Sequence, residues 1–214
     1  MTVTSNEHTL CVQYLAPEDI STAGSLIYQA YHDDPLLQNL LGYDQHNMAA
    51  YEKKLRSVIR EELSAFWQEK LPLIGLYRDD KLKAVACVFE SSSQLQPERY
   101  WHWRLKLMLS AGYLQTNQLI EKEQTIRTAL NEIGDYYYLA FIAVDPHVQG
   151  HGLGRYLLRG LDDLATKNTG AKGLAVFVTR QEHNTFFKSE GFSTYKALAF
   201  NKVSGELLFK PYAK

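Results

Sequence analysis

The stretch from Tyr136 to Leu158 constrains this chain more than any other. Nine apolar or aromatic residues, Tyr136 to Val144, run without interruption into Asp145-Pro146. Glycines follow at 150, 152 and 154, and then a leucine-rich segment. The first part reads as a central strand buried on both faces, and the last as a helix that starts inside the glycine loop. Glycines at that junction leave the helix N-terminus free of side chains. Its unpaired N–H groups and the positive end of its dipole then form an anion site, suited to a phosphate or pyrophosphate. Known phosphate loops narrow the reading. A P-loop needs Gly-Lys-Ser/Thr, whereas Gly154 is followed by Arg155-Tyr156. A dinucleotide fingerprint fails too: its third position falls on Leu157 or Arg155, and no acidic residue stands about 20 positions on. What remains is Gln-x-x-Gly-x-Gly, formed by Gln149, Gly152 and Gly154. The plain alternative is a tight strand-to-helix turn with no ligand.

The remaining elements follow from periodicity. Thr9–Leu15 alternates as a strand. Pro17 opens a helix whose apolar positions Ile20, Ala23, Ile27, Ala30 and Tyr31 stop at Pro35. Residues 48–70 carry a second helical stripe of Met48, Tyr51, Leu55, Val58, Ile59, Phe66 and Trp67. Strands are expected at 73–77 and 82–90, and a helical pair at 97–133. A leucine-rich helix begins near Gly152, a strand spans 173–178 and a short helix spans 182–190, stopped by Gly191. A closing hairpin is expected around Ser204-Gly205. The fold class is α/β (mixed α+β), and 1–214 is expected to be a single domain interrupted by the helical pair.

Composition excludes other classes. The formal charge is −1, which offers no long-range attraction to nucleic acid or an anionic membrane. Lys53, Lys54, Arg56 and Arg60 alternate with Glu52, Glu61 and Glu62, as on a solvated helix face. Cys11 and Cys87 sit in strand-like runs and read as buried free thiols; no metal-ligand spacing occurs. The first residues do not form a signal peptide, and no run of 18 apolar residues exists. A cytoplasmic location is the expectation.

The loop, the strand ending in Val-Asp-Pro and the Phe187…Gly191-Phe192 ending of the last short helix resemble the coenzyme A site of the GNAT superfamily of N-acetyltransferases. Tyr31…Asp34-Pro35 and the helices at 97–133 are similar to a small-molecule branch, of the puromycin N-acetyltransferase type. The resemblance implies a mostly antiparallel sheet flanked by helices and acetyl-CoA as co-substrate, without a metal. Backbone groups of Ile142, Ala143 and Val144 would pair with the pantetheine arm beside a bulged strand. N–H groups from Gln149 through Gly150, His151, Gly152, Leu153 and Gly154 to Arg155 would hold the pyrophosphate. Asn184 would reach toward the arm, or else cap its own helix.

The resemblance breaks where protons move. Several relatives carry a glutamate eleven residues before the loop glutamine; here that position is Tyr138. Glu90, at the end of the neighbouring strand, is the alternative carboxylate, or simply an exposed strand-end charge. Many relatives place a tyrosine acid four residues before the Gly-Phe pair, where this chain has Phe187. His147 and His183 titrate near neutrality but fall in loop-like sequence. His32-Asp33-Asp34 stands where a cationic acceptor would enter, or ends a helix. Tyr100, Trp101 and Trp103 line the acceptor pocket or pack the core. The expected function is transfer of an acetyl group to a primary amine of a small molecule, with a homodimer compatible. Acetylation of a protein N-terminus or lysine, and a non-catalytic acyl-CoA sensor, are the competing readings.

Overall fold

Among the described residues, eight strands and seven α-helices follow one another along the chain. In order they are β1 (Thr2–Ser5), β2 (His8–Tyr14), α1 (Ile20–Tyr31), α2 (Pro35–Leu41), α3 (Met48–Gln68), β3 (Leu73–Arg78) and β4 (Lys81–Glu90). Then come α4 (Pro97–Ser110), α5 (Tyr113–Leu130), β5 (Tyr137–Val144), α6 (Leu153–Asn168), β6 (Gly173–Val178), α7 (Gln181–Ser189), β7 (Ser193–Phe200) and β8 (Val203–Pro211). The computed structural model describes residues 2–5, 8–91, 97–168 and 170–212. The side chains of Tyr100 and Trp101, two of the three aromatics read as pocket lining or core, lie outside the described residues.

One sheet holds all eight described strands, in the order β1-β2-β3-β4-β5-β6-β8-β7. All pairings are antiparallel except β5 with β6. Two irregularities in β5 shape everything that follows. Between Phe141, opposite Cys87, and Leu139, opposite Val88, the register skips Ala140, a β-bulge. The parallel pairing with β6 then covers only Tyr137–Leu139 against Leu174–Val176. Past the bulge, β5 leaves β6 behind.

Two layers of helix bury the two faces of the sheet. Tyr51, Leu55, Val58, Ile59, Leu63 and Phe66 of α3 join Ile27 of α1 against Val85, Cys87, Phe89 and Tyr138. On the other face Leu153, Leu157, Leu158 and Leu161 of α6 meet Ala84, Ala86, Val88 and Leu139. The i, i+4, i+5, i+8 spacing of those leucines is the apolar stripe of one helix face. Each fully buried leucine contributes about 1.5–3 kcal/mol relative to exposure. Among the described residues, no helix is long and apolar enough to cross a membrane.

The structure departs from the sequence expectation in several places. Pro35 begins a helix as well as ending one. The Asp34 carboxylate accepts the Leu37 N–H at 2.9 Å, proline takes the first helical position, and Gly42 at φ 70° ends α2. Met48 and Trp67 lie exposed, with Leu63 on the buried stripe instead. The closing hairpin turns at Asn201-Lys202, with Asn201 at φ 52°. Gly205 lies inside β8, where a Cβ would stand 2.4 Å from the Val178 carbonyl oxygen. It is glycine for close strand approach, not for a turn. Both cysteines are free, with Cys87 buried and Cys11 only half-buried.

Candidate active site

The glycine loop is pinned from both sides. Asp145 accepts the His147 N–H at 3.0 Å and binds Lys83 at 2.8 Å. The Lys83 contact is the main cause holding its carboxyl below the usual range. Gln149 returns its side-chain amide to the Val144 carbonyl at 3.1 Å. Gly150 and Gly152 adopt φ of 81° and 77°, the left-handed region. A Cβ at either would meet nothing within 4 Å, so backbone conformation, not crowding by the protein, selects glycine there. The first helical bond runs from the Tyr156 N–H to Gly152 O at 3.0 Å. The preceding N–H groups therefore face open space at the head of the 16-residue α6. That cradle fits a pyrophosphate. Gly154 packs closer, with a Cβ position 3.4 Å from Phe186 of α7. The His151 ring turns back to the Val148 and Gln149 carbonyls, and the Arg155 guanidinium pairs with Glu190. These two residues can offer backbone more readily than side chain.

Beyond the bulge, β5 presents a free edge. The Asp145 N–H reaches back to the Lys83 carbonyl of β4 at 2.8 Å, whereas the Ile142 N–H is bonded by the Tyr31 hydroxyl at 3.1 Å. Alternation along an antiparallel strand then points the backbone of Ala143 at β4 and that of Ile142 and Val144 into the gap where β6 has separated. Of these three positions, Val144 keeps an N–H toward the gap without a protein partner among the described residues. Tyr31 holds the far end, its ring edge-on to Phe141 at 5.1 Å. Burial raises its phenol above the usual range, so it remains a neutral hydroxyl.

A single cavity of about 1130 Å³ joins these parts. It is lined by Gln149–Arg155 except His151, by Ala140–Val144, by Phe177–Arg180 of the opposite edge, and by an inner lobe from α3 and α5. The lobe walls are mostly apolar, with Val58, Phe66, Phe89, Trp103, Leu119 and Ile126, but Glu62, Glu69, Glu123 and Arg127 also reach it.

The expected catalytic positions part company here. Tyr138 lines the cavity at 5 % exposure, its ring 4.9 Å from Phe89. Burial, the largest cause, lifts its phenol above the usual range, while the Phe177 backbone N–H bonds its oxygen. A phenol so placed can orient water but accepts no proton at neutral pH. Glu90 lies off the cavity wall, its carboxylate 3.5 Å from the Tyr137 hydroxyl: Tyr137 faces the α6 layer, one residue out of phase with Tyr138. Asn184 is also off the wall. It is buried and donates to the Glu206 carboxylate of β8. Phe187 is packed edge-on between Phe186 and Phe192 with no hydroxyl to offer. His147 is exposed in the loop. His183 reaches the cavity rim, and burial lowers its pKa. Asp34 lines the cavity while capping α2 and accepting the Thr179 hydroxyl at 3.2 Å, whereas Asp33 faces solvent beside His32. Trp103 lines the lobe.

Sequence reasoning missed Glu62. In the chain it belongs to a run of alternating charges that reads as solvated surface. In the fold it faces the lobe, and burial pushes its carboxyl up to about 7, assisted by Glu123 and opposed by Lys122. A signal was available: Glu62 lies three residues from Ile59 and four from Phe66, close to the buried stripe.

Known proteins agree with this arrangement. Residues 116–194 match the acetyltransferase (GNAT) domain family. A Dictyostelium discoideum protein named as a probable serine/threonine-protein kinase is 25% identical over 202 residues. The match covers 88% of this chain, which spans only 21% of that protein's length. Among solved structures, histone acetyltransferase HPA2 and related acetyltransferase from Corynebacterium glutamicum superposes with TM-score 0.66 at 14% identity, covering 96% of this chain and 97% of its own. The PaiA N-acetyltransferase of Thermoplasma acidophilum, solved with coenzyme A, superposes with TM-score 0.57 at 12% identity over 95% and 99%. Such identities establish the fold alone, and the domain match covers residues 116–194, less than half of the chain. Loop, bulged strand and fold agree with the match of residues 116–194 to the acetyltransferase (GNAT) domain.

Proposed function

We propose that the chain transfers an acetyl group from acetyl-CoA to the primary amine of a small molecule, with both substrates bound together and no covalent enzyme intermediate. The observation that carries this reading is one continuous cavity, which opens on the glycine loop, follows the free edge of β5 and ends in a lobe under α3 and α5. N–H groups between Gln149 and Arg155 would bind the pyrophosphate. The edge at Ile142–Val144 would align the pantetheine arm as an added strand, with Tyr31 closing the Ile142 N–H. Acetyl-CoA supplies a thioester-activated acyl group. The Val144 N–H would polarise its carbonyl, and the lobe would hold the amine within the same cavity, so that proximity would supply much of the rate. Phe187 offers no proton to the departing sulfur. Leaving as a thiolate at pH 7 costs only about 2 kcal/mol for a thiol of ordinary pKa near ~8.5.

An acceptor lobe enclosed by helices favours a compact amine over a protein tail laid in an open groove. A non-catalytic acyl-CoA sensor is the second reading, favoured by Phe187 and by a tyrosine at 138. Thermal unfolding with and without acetyl-CoA, followed by thiol release across a panel of amines, separates the two. Ligand at 100 times its Kd adds about 2.7 kcal/mol. Stabilisation with release supports the enzyme, and stabilisation without release supports the sensor. No stabilisation at millimolar acetyl-CoA removes both.

A further inference from the structure

We infer that the Glu62 carboxylate, in the inner lobe between α3 and α5, binds the acceptor's ammonium group and takes its proton, an assignment that rests on the acetyltransferase reading above.

Geometry supports it first. Glu62 faces the cavity, and no hydrogen bond or ion pair to it exists among the described residues. Its helical neighbour Glu61, by contrast, is bonded to Arg60 and Lys106. Glu62 is also close enough to Cys87 of β4 to act on that thiol electrostatically. Cys87 is the register partner of Phe141, adjacent to the bulge residue Ala140. Glu62 and the β5 edge from Ala140 to Val144 line the same cavity, so an amine held at the carboxylate shares that space with a thioester bound along the edge. Among the described residues, the charged and titratable groups acting on it are Glu123 and Lys122 from α5 and Cys87 from β4. Arg127 is engaged by Glu123 at 2.9 Å, Lys106 of α4 by Glu61, and the Tyr31 hydroxyl of α1 by Ile142. Lys122 acts on Glu62 electrostatically, but among the described residues no ion pair to its carboxylate is formed, so an arriving ammonium would supply a direct countercharge. Burial raises its carboxyl to about 7, which matches a base working near neutral pH. Neither Tyr138 nor Glu90 fills this role: one is a neutral phenol and the other lies off the cavity.

The step balances without a further reactant. The ammonium gives one proton to Glu62. The freed lone pair forms the new C–N bond at the thioester carbonyl, the C–S bond breaks, and sulfur leaves with its electron pair. The second proton lost from nitrogen and the one held by Glu62 pass to thiolate and solvent.

The test compares wild type with Glu62→Gln and Glu62→Asp, using n-butylamine, phenethylamine and spermidine as acceptors. Acetyl-CoA affinity is followed by calorimetry and kcat/KM as a function of pH. The wild-type profile should rise and level off above about pH 7. Glu62→Gln should keep its acetyl-CoA affinity and lose roughly 10²–10⁴ in kcat/KM at pH 7. It should also keep climbing past that plateau as free amine accumulates, and Glu62→Asp should restore part of the loss. A Gln variant with wild-type kcat/KM and the same plateau overturns the inference alone. So does a raised KM with kcat and plateau unchanged, which would make Glu62 an anchor only. Wild type releasing no thiol with any of the amines overturns the acetyltransferase reading and this assignment with it.

Discussion

At the scale of single residues, the loop and the position of Phe187 respond differently to substitution. Gly152 has open space beyond its Cα but a left-handed backbone at φ 77°. Any side chain there carries a conformational cost of about 1–2 kcal/mol, and a negatively charged one would also repel the proposed pyrophosphate. Gly152→Ala should therefore lower stability while retaining measurable acetyl-CoA binding, whereas Gly152→Glu should abolish it. Calorimetric titration of the two variants checks this, and unchanged affinity in the glutamate variant would remove the loop from the site. Phe187 is only 4 % exposed and ringed by Phe186 and Phe192. Phe187→Tyr should leave acetyl-CoA affinity intact but cost stability by about 1–3 kcal/mol unless its new hydroxyl finds a partner. A urea denaturation midpoint measures that cost.

Among the elements, legibility followed how local the cause was. Strand β5 and helix α6 were readable because hydrophobic run, Asp-Pro stop, glycines and leucine stripe are adjacent in the chain. Helix α2 was not, because Pro35 is an equally good stop and start, and seven residues give too little periodicity to decide. The hairpin turn was misplaced for a related reason. Ser204-Gly205 resembles turn chemistry, yet its glycine answers to the Val178 carbonyl on another strand, which no local pattern reveals. Asp34 shows the same dependence on distant partners, since one carboxylate oxygen caps α2 and the other accepts the Thr179 hydroxyl from the far side of the cavity. Asp34→Ala should lower stability by about 1–2 kcal/mol through the lost cap, while Asp34→Asn should keep most of it. Equilibrium urea unfolding of both variants checks the difference, and equal midpoints for alanine and wild type would show that the cap contributes nothing.

For the molecule as a whole, the coenzyme half of the candidate site is one contiguous segment, whereas the acceptor half is assembled from α1, α3, β4 and α5, whose residues are far apart in sequence. That is why the loop could be read from the chain and Glu62 could not: its environment exists only after the sheet and three helices have closed around it. The same closure leaves a mark on global stability. In the folded chain Glu62 titrates near about 7, raised from an ordinary 4.5. Between those values the native state holds a proton that the unfolded chain has released, so this residue's contribution to stability falls as pH rises from 4.5 to 7 and is constant above. Asp145 and Glu206, both lowered by their partners, contribute in the opposite sense and at more acid pH. Burial lowers the pKa of His183, whose contribution also rises with pH. The total curve therefore mixes signs, but the difference between wild type and Glu62→Gln isolates one group. That difference should be small near pH 4.5 and grow to about 1–2 kcal/mol in favour of the glutamine variant by pH 8, after allowing for water in the cavity. At roughly 2–4 °C per kcal/mol for a chain of this length, thermal unfolding in matched buffers from pH 4.5 to 8 resolves it. A difference that does not change with pH would mean that Glu62 meets the same surroundings folded and unfolded, and that the lobe is open to bulk water.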